Sequence, residues 1–260
     1  MSLVAKYWQL RYDILRDYWL WGHKNSKVNG VVLMYHHVTN ESIDITDSCR
    51  CTIEEFTASI DDLQKQGYDF VSSDSSQEII RNRESRKFAV VTFDDVPDNF
   101  IVNAYPILKE KKIPFTLFIT TGYLDKQGYL NKEQIIELAK DELCTIGAHT
   151  VSHPMLRQVD NSNDEIVQSK VILEGIIKKP VDFFAYPYGR QTAVSREVKK
   201  QVREAGFKCA FGTILAPVSD LTKSSMFFIP RMVYKGGDIE ASYTYVIPFL
   251  NRLKRLFGLS

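Results

Sequence analysis

The stretch Phe88-Ala89-Val90-Val91-Thr92-Phe93-Asp94-Asp95 decides the fold of this chain. Its first six residues are apolar, β-branched or aromatic, which is typical of a strand covered on both faces. The carboxylates of Asp94 and Asp95 follow directly. Because the chain turns where a strand ends, both acids can face one cleft, and a metal on one of them is one way to keep both ionised. The alternative interpretation is that an Asp after the strand caps a helix, for which one Asp would be enough.

Strands and helices are predicted to alternate on both sides of this stretch. Buried strands are expected at residues 30–35, 68–71, 88–93, 115–120, 143–148, 183–186 and 208–212, with a further short one at 227–229. Helices are expected at residues 52–63, from 75, 99–110 with a break at Pro106, 131–139, 162–177 and 193–204. Four of them begin with capping patterns, namely Thr52-x-x-Glu55, Ser75-x-x-Glu78, Asn131-x-x-Gln134 and Ser162-x-x-Glu165. This alternation predicts a mostly parallel sheet.

Polar residues at the strand ends favour a closed sheet over an open one. They are His36, Asp94, Asp95, His149 and Tyr186. A barrel gathers the carboxyl ends of its strands into one mouth, whereas an open sheet spreads them out. We therefore predict an α/β fold, a distorted (β/α) barrel of seven to eight parallel strands in a single domain. The barrel is expected over residues 30–235, with a helical extension at 1–29 and a basic amphipathic tail at 236–260.

Length, charge and hydropathy narrow the class of protein. A chain of 260 residues that is 44% hydrophobic can bury one large core. With 33 basic and 32 acidic residues the net charge is +1, so no overall field attracts nucleic acid. Charges interrupt residues 1–22, so no signal peptide is predicted, and no run approaches the ~20 apolar residues of a membrane span. We therefore expect a cytoplasmic protein, either free or peripheral at the inner face of the membrane.

Both terminal segments are amphipathic. Near helical spacing the first contains Val4, Tyr7, Trp8, Leu15, Tyr18 and Trp19. It is interpreted as a helix docked on the domain or as an interfacial helix, with docking favoured. The last segment has an apolar stripe of Phe249, Leu250, Leu253, Leu256 and Phe257 beside Arg252, Lys254 and Arg255. Such a helix can lie on an anionic membrane, cover the bottom of the barrel or bind a partner protein.

A pair of histidines at His149-x-x-x-His153 forms the second motif. At this spacing two side chains lie on one face of a helical turn and can share one ion. With Asp95 they make a three-ligand site with open positions, which is the catalytic form of a zinc site. The alternative is a pair of surface or capping histidines. The third motif is the turn Tyr186-Pro187-Tyr188-Gly189, which could point a backbone N–H into the cleft but would also pass as an ordinary loop.

Together, Thr92-Phe93-Asp94-Asp95, His149-x-x-x-His153 and the Tyr186-Pro187-Tyr188-Gly189 turn resemble the polysaccharide deacetylase family, the carbohydrate esterases with a NodB-like homology domain. The segment Leu33-Met34-Tyr35-His36 resembles the opening strand of the subgroup that acts on poly-N-acetylglucosamine. The resemblance covers about residues 30–235. It implies a distorted β/α barrel and metal-dependent removal of acetyl groups from an N-acetylhexosamine-containing polysaccharide, oligosaccharide or lipid-linked glycan.

The resemblance also implies roles for single residues. Asp94 is expected to be the general base, and the backbone N–H of Tyr188 the oxyanion donor. A divalent ion, usually zinc, with cobalt or nickel as alternatives, is expected on Asp95, His149 and His153. Substrate contacts are expected from Tyr186, Pro187 and His37.

Three departures from the family pattern matter. Val96 stands where many members have Gly, and Ala185 stands where many have an Arg that orients the base. Arg231 is the candidate replacement, although an Arg after Pro is more often a surface charge. Family members usually have a His near the end of the domain that acts as the general acid. No His follows His153 in this chain, and His36 can supply that role. His37 competes with it, but on a strand it would point to the opposite face.

Two alternatives to this deacetylase hypothesis stay open. The missing late His and Ala185 are compatible with a carbohydrate-binding protein on a decayed barrel. The same barrel also accommodates hydrolysis of other amides. The oligomeric state is not predicted.

Overall fold

The computed structural model of the protein describes residues 3–24, 26–40 and 50–239. Its parallel strands form one sheet that curls into a half barrel surrounded by helices. The strands are β1 (Asn29–Tyr35), β2 (Asp69–Phe70), β3 (Lys87–Asp94), β4 (Phe115–Ile119), β5 (Cys144–Ala148), β6 (Phe183–Ala185) and β7 (Cys209–Phe211). The helices are α1 (Leu3–Lys24), α2 (Ile53–Lys65), α3 (Ser73–Asn82), α4 (Asn99–Glu110), α5 (Lys132–Leu138), α6 (Ser162–Ile177) and α7 (Arg196–Glu204).

The strand order is β1-β3-β4-β5-β6-β7, and β2 pairs with the first half of β3. The register of β1 against β3 runs from Asn29 opposite Lys87 to Tyr35 opposite Phe93. In contrast, β5 and β6 pair only at Ala148 opposite Phe184, so the sheet is distorted there. Because all the pairs are parallel, the carboxyl ends of the strands share one edge.

The open side of the half barrel is spanned by residues 229–232. Ile229 forms a parallel bridge with Phe211 of β7, and Met232 forms one with Leu33 of β1. The segment therefore links the two outer strands of the sheet. The predicted distorted barrel is confirmed with seven strands, and the further strand expected at 227–229 occurs only as these isolated bridges.

The strand β3 is buried on both faces, as its composition predicts. Ala89, Val91 and Phe93 pack in the core between the sheet and the helices. Val90 belongs to a second core inside the barrel, together with Phe118. Because side chains alternate along a strand, Asp94 falls on the same inner side as Val90.

Two of the four helix starts predicted from capping patterns follow that chemistry. The boxes that begin α2 at Thr52 and α5 at Asn131 have both reciprocal hydrogen bonds. The cap predicted at Ser75 is wrong: the N-cap is Ser72, three residues earlier, whose hydroxyl accepts from the Ser75 N–H, so α3 begins at Ser73. Similarly, α7 begins later than expected, where Ser195 provides the cap.

The predicted break at Pro106 is also wrong, because α4 runs through it without interruption. A proline removes the hydrogen bond to the carbonyl four residues earlier, here that of Val102. Both residues lie on the exposed face of α4, where water can satisfy that carbonyl.

The N-terminal helix is docked on the barrel, which was the favoured one of its two interpretations. Arg16, Trp19 and Gly22 of α1 are buried. A Cβ at Gly22 would lie 2.1 Å from the side chain of Leu221, so any other residue there would force Leu221 to move. In the described parts of the chain, every helix is too short or too polar to cross a bilayer. The amphipathic stripe predicted at 249–257 lies outside those parts.

Candidate active site

A cavity of about 630 Å³ lies at the carboxyl ends of the strands. Its walls contain most of the residues predicted to form the site: His36, Asp94, His149, His153, Tyr186, Tyr188 and Arg231. The strand ends therefore converge on one mouth.

The carboxylate of Asp94 is held by the guanidinium of Arg231. Both residues are almost fully buried, with 2% and 1% of their surface exposed. Nη1 donates to Oδ1 and Nη2 donates to Oδ2, each at 2.6 Å, which is a bidentate pair. Burial alone would raise the pKa of the Asp94 carboxyl, but attraction to Arg231 and His149 holds it well below its ordinary value.

Arg231 is fixed by further contacts on every side. Its Nε donates to the carbonyl of Gly212 at 3.1 Å, and its Nη1 also donates to the hydroxyl of Thr92 at 3.1 Å. Its guanidinium carbon lies 5.4 Å from the ring centre of Phe118. This arginine is therefore a buried partner of the acid and not a surface charge.

Asp95, His149 and His153 form the candidate metal centre. One ligand atom from each lies within 4.8 Å of the others. Asp95 turns out of the strand with a left-handed backbone (φ 59°), and its Oδ1 accepts from the hydroxyl of Thr120 at 2.6 Å. Its Oδ2 is 3.7 Å from Nε2 of His153.

The helical turn predicted for the two histidines is wrong. Thr150 and His153 have φ of 70° and 61°, so the segment is a loop with left-handed residues. The loop nevertheless brings the rings of His149 and His153 to a centroid distance of 5.0 Å.

His149 is prepared as a neutral ligand. Its Nδ1 lies 2.8 Å from the carbonyl oxygen of Ala185, which can only accept, so that nitrogen carries the proton. Burial lowers the pKa of His149 to about 4, against the opposing attraction of Asp94 and Asp95. Its Nε2 is therefore left as a lone-pair donor. One carboxylate and two imidazoles are a donor set that suits zinc, so the three residues fit a divalent cation.

The histidine loop is held by Glu165, which the sequence interpretation assigned to a helix cap. Asn161 occupies the N-cap position of α6, and its side chain forms no capping hydrogen bond. The carboxylate of Glu165 instead accepts from the N–H groups of Val151 at 2.9 Å and Ser152 at 2.8 Å, and from the Ser152 hydroxyl at 2.7 Å. No local pattern could have identified this contact, because its partners belong to an irregular loop.

The turn after β6 presents Tyr188 at the cavity. Its backbone is left-handed (φ 60°), and within the described chain its N–H has no hydrogen-bond acceptor. The carbonyl of Tyr188 accepts from Thr213 at 2.8 Å, and its ring centre is 4.9 Å from that of His153. A side chain at Gly189 would meet Thr213 at 2.5 Å, so the turn requires glycine there.

The other predicted residues divide into two groups. His36 lies in the cavity wall, and its charge contributes to lowering the pKa of Asp94. His37 and Pro187 are not brought into the wall; Nδ1 of His37 is 3.3 Å from the side-chain amide of Asn99. Tyr186 reaches the wall but is buried, and its hydroxyl donates to the carbonyl of Phe227 at 2.9 Å, so that hydroxyl is already occupied.

Tyr12 is a wall residue that the sequence interpretation missed. It comes from α1, and its hydroxyl accepts from the N–H of Leu215 at 3.2 Å. The guanidinium carbon of Arg190 lies 6.0 Å from its ring centre. The aromatic cluster of α1 was the available signal, but its spacing could not say which ring faces the cavity.

Comparisons with known proteins show the family to which the chain is similar. The family model described as polysaccharide deacetylase matches residues 81–210, which is half of the chain. The Bacillus subtilis protein YxkH is 26% identical over 223 residues, covering 84% of this chain and 75% of YxkH. A Staphylococcus aureus protein named poly-beta-1,6-N-acetyl-D-glucosamine N-deacetylase is 29% identical over 167 residues, which are 58% of this chain and 55% of that protein. The chain thus spans little more than half of the latter.

Solved structures share the fold. A polysaccharide deacetylase from Bacillus cereus has a TM-score of 0.72 at 23% identity, covering 84% of this chain and 69% of its own. The Streptococcus pyogenes deacetylase PplD has a TM-score of 0.72 at 24% identity, and the match covers 82% of this chain and 96% of PplD. IcaB from Ammonifex degensii has a TM-score of 0.67 at 24% identity, and the match covers 82% of this chain and 94% of IcaB.

Proposed function

Because this chain belongs to the polysaccharide deacetylase family, we propose that it is a metal-dependent hydrolase that removes N-acetyl groups from an N-acetylhexosamine-containing glycan. One observation carries the proposal: the Asp94–Arg231 pair lines the same cavity as His149 and His153, and Asp95 completes a candidate metal centre with these two histidines. The name of the Staphylococcus aureus relative supports poly-N-acetylglucosamine as the first substrate to test.

Asp95, His149 and His153 would hold the cation, with zinc as the first choice and cobalt or nickel as alternatives. When bound, such an ion supplies Lewis acidity and lowers the pKa of a coordinated water from about 15.7 toward about 7. Thr120 and Ala185 orient the ligands by their hydrogen bonds to Asp95 and His149.

Asp94 accepts the proton of the attacking water. Arg231 keeps it ionised and fixes its orientation. Each carboxylate oxygen has a second acceptor position, so the bidentate pair leaves room for that water. The water oxygen forms a bond to the acetyl carbonyl carbon, and the backbone N–H of Tyr188 donates to the oxygen that becomes negative.

His36 gives a proton to the departing amine as the C–N bond breaks. An amine is a poor leaving group unless it is protonated, so this step needs an acid in the cavity wall. The products are acetate and a free amino sugar.

Acetate release from an N-acetylglucosamine oligomer, measured with added zinc, tests the proposal. We expect His36→Ala to lower kcat by about 100-fold or more. The matched control is His37→Ala, which removes the neighbouring imidazole outside the cavity wall and should stay near wild type. Asp95→Ala should lose bound zinc in elemental analysis. Oligomer binding without any acetate release would instead indicate a decayed carbohydrate-binding protein.

A further inference from the structure

The outward face of α1 is an apolar stripe. Its members, called the outer stripe below, are Leu3, Tyr7, Leu10, Ile14, Tyr18 and Trp21. Their exposed fractions run from 42% to 86%. The spacing keeps them on one helical face over about 27 Å, at ~1.5 Å per residue. A continuous exposed apolar surface of this kind marks an interaction site.

Docking of α1 on the barrel does not account for the outer stripe. The docked face consists of other residues, including the buried Arg16 and Trp19. The helix therefore has two apolar sides, and only one of them is covered in the described chain.

A basic groove of about 430 Å³ runs beside the outer stripe, between α1 and α7. Its cations are Arg11, Arg157, Arg196 and Lys199. Tyr18 belongs both to the outer stripe and to the groove wall.

Within the described chain, none of the four cations of the basic groove forms an ion pair with a carboxylate. The guanidinium carbons of Arg11 and Arg157 lie 5.4 and 4.8 Å from the ring centre of the same Trp8. Burial and repulsion from Arg196 lower the pKa of Lys199. The groove thus concentrates positive charge that an external anion would neutralise.

Charge complementarity selects the occupant of this surface. The acids of α1, Asp13 and Asp17, are already paired with Arg16 at 3.2 and 3.0 Å, so α1 of a second copy offers no unpaired carboxylate. Residues 240–260 contain three cations and one acid, so the chain's own tail has the same sign as the groove. An anionic lipid surface supplies both phosphates and an apolar layer.

We propose that α1 is an interfacial helix that docks this protein on an anionic bilayer. The outer stripe lies at the boundary between headgroups and acyl chains, where Tyr and Trp are favoured. The basic groove contacts the lipid phosphates. Because Tyr12 of the same helix lines the cavity, this docking holds the mouth of the cavity close to the membrane surface.

Co-sedimentation of the full chain with vesicles tests the proposal without metal or substrate. We expect binding to vesicles that contain phosphatidylglycerol, and binding at least about tenfold weaker to phosphatidylcholine alone. The double variant Leu10→Glu, Ile14→Glu should lose about tenfold or more in affinity. Arg11→Glu with Arg196→Glu should weaken binding and reduce its salt dependence.

Val102→Glu and Val171→Glu are matched controls, because these valines are 71% and 55% exposed on other helices. They should bind like wild type. Equal binding by the wild type and the Leu10→Glu, Ile14→Glu variant would overturn the proposal. A second outcome would also overturn it: the wild type fails to bind vesicles and forms a dimer, and the Leu10→Glu, Ile14→Glu variant is a monomer. In that case α1 would pair with a second copy of the chain. Acetate release from a soluble oligomer should be unchanged in the variant, which separates this result from the proposed activity.

Discussion

At the scale of single residues, the ionisation of Asp94 depends on a guanidinium that lies 137 positions later in the chain. Burial opposes the charge on this carboxylate, and Arg231 overcomes that opposition. The same pair therefore decides both the protonation state of the proposed base and part of the stability of the barrel interior.

Replacing Arg231 by Gln should make Asp94 a weaker acid. Without the cation, burial raises the pKa of the carboxyl, so the acidic limb of the pH–rate profile for acetate release should move to higher pH. Unfolding in urea should show a loss of about 3–5 kcal/mol, because a buried charge is left without its partner. Arg231→Lys keeps the charge and should show smaller changes in both. An acidic limb that stays in place in Arg231→Gln would contradict the assignment.

His149 makes the metal-free protein sensitive to mild acid. Its pKa is lowered from 6.5 to about 4 on folding, so the unfolded chain binds the proton first. The free energy of unfolding should therefore fall as pH falls from about 6.5 to about 4, by on the order of 3 kcal/mol, and this contribution should then level off. Urea titrations in the presence of a chelator would measure it.

The corresponding control is His149→Gln, which should remove most of that slope. The contribution of Asp94 is expected at lower pH, because its pKa starts at 3.8 in the unfolded chain and lies lower in the folded one. A flat stability between pH 6.5 and 4.5 in the wild type would exclude a buried neutral His149.

At the scale of elements, the loop from His149 to His153 depends on α6. Glu165 binds two N–H groups and one hydroxyl of this loop, which contains left-handed residues and is costly to hold on its own. The helix thus positions a ligand that it does not carry.

Removing this support should weaken metal binding. Glu165→Ala is expected to lower zinc affinity by about 10- to 100-fold, measured by competition with a chromophoric chelator. Glu174→Ala is a matched control on the same helix, because Glu174 accepts from the N–H of Val181 outside the cavity wall. Comparable losses in both variants would mean that the effect comes from α6 as a whole.

The elements that sequence predicted correctly are those with local causes. The strand β3 follows from the run before Asp94, and two capping boxes follow from side chains three residues apart. The conformation at His149 could not be predicted in this way. Its i, i+4 spacing favours a helical turn, whereas the contacts that hold the loop come from Glu165 on another element.

At the scale of the whole molecule, the prediction of one mouth rested on the polar residues at the strand ends and is confirmed. Arg231 was a candidate partner of Asp94, but no local pattern could predict its burial, because that burial results from the segment 229–232 crossing between β7 and β1. Two isolated bridges leave no periodic pattern in the sequence. The contribution of α1 to the cavity was missed for a related reason, since docking depends on a surface that is distant in sequence.

Tyr12 should influence substrate binding more than turnover. It lies in the cavity wall but comes from a helix outside the barrel, so Tyr12→Ala should raise KM for the oligomer by about five- to tenfold and leave kcat nearly unchanged. Steady-state kinetics of acetate release would measure this. Tyr7→Ala, on the exposed side of α1, should have no effect. A fall in kcat alone would place Tyr12 in the chemical step.

The bridging segment also has a consequence for how the protein is made. While the ribosome is still adding residues after β7, the nascent chain already contains Asp94 but not its counter-charge. If the barrel closed at that stage, the carboxylate of Asp94 would be buried without Arg231. We therefore expect the nascent chain to stay loosely packed until residues 229–232 have been synthesised. The order of synthesis and the electrostatics of Asp94 would then both make closure of the barrel by residues 229–232 the last step of folding.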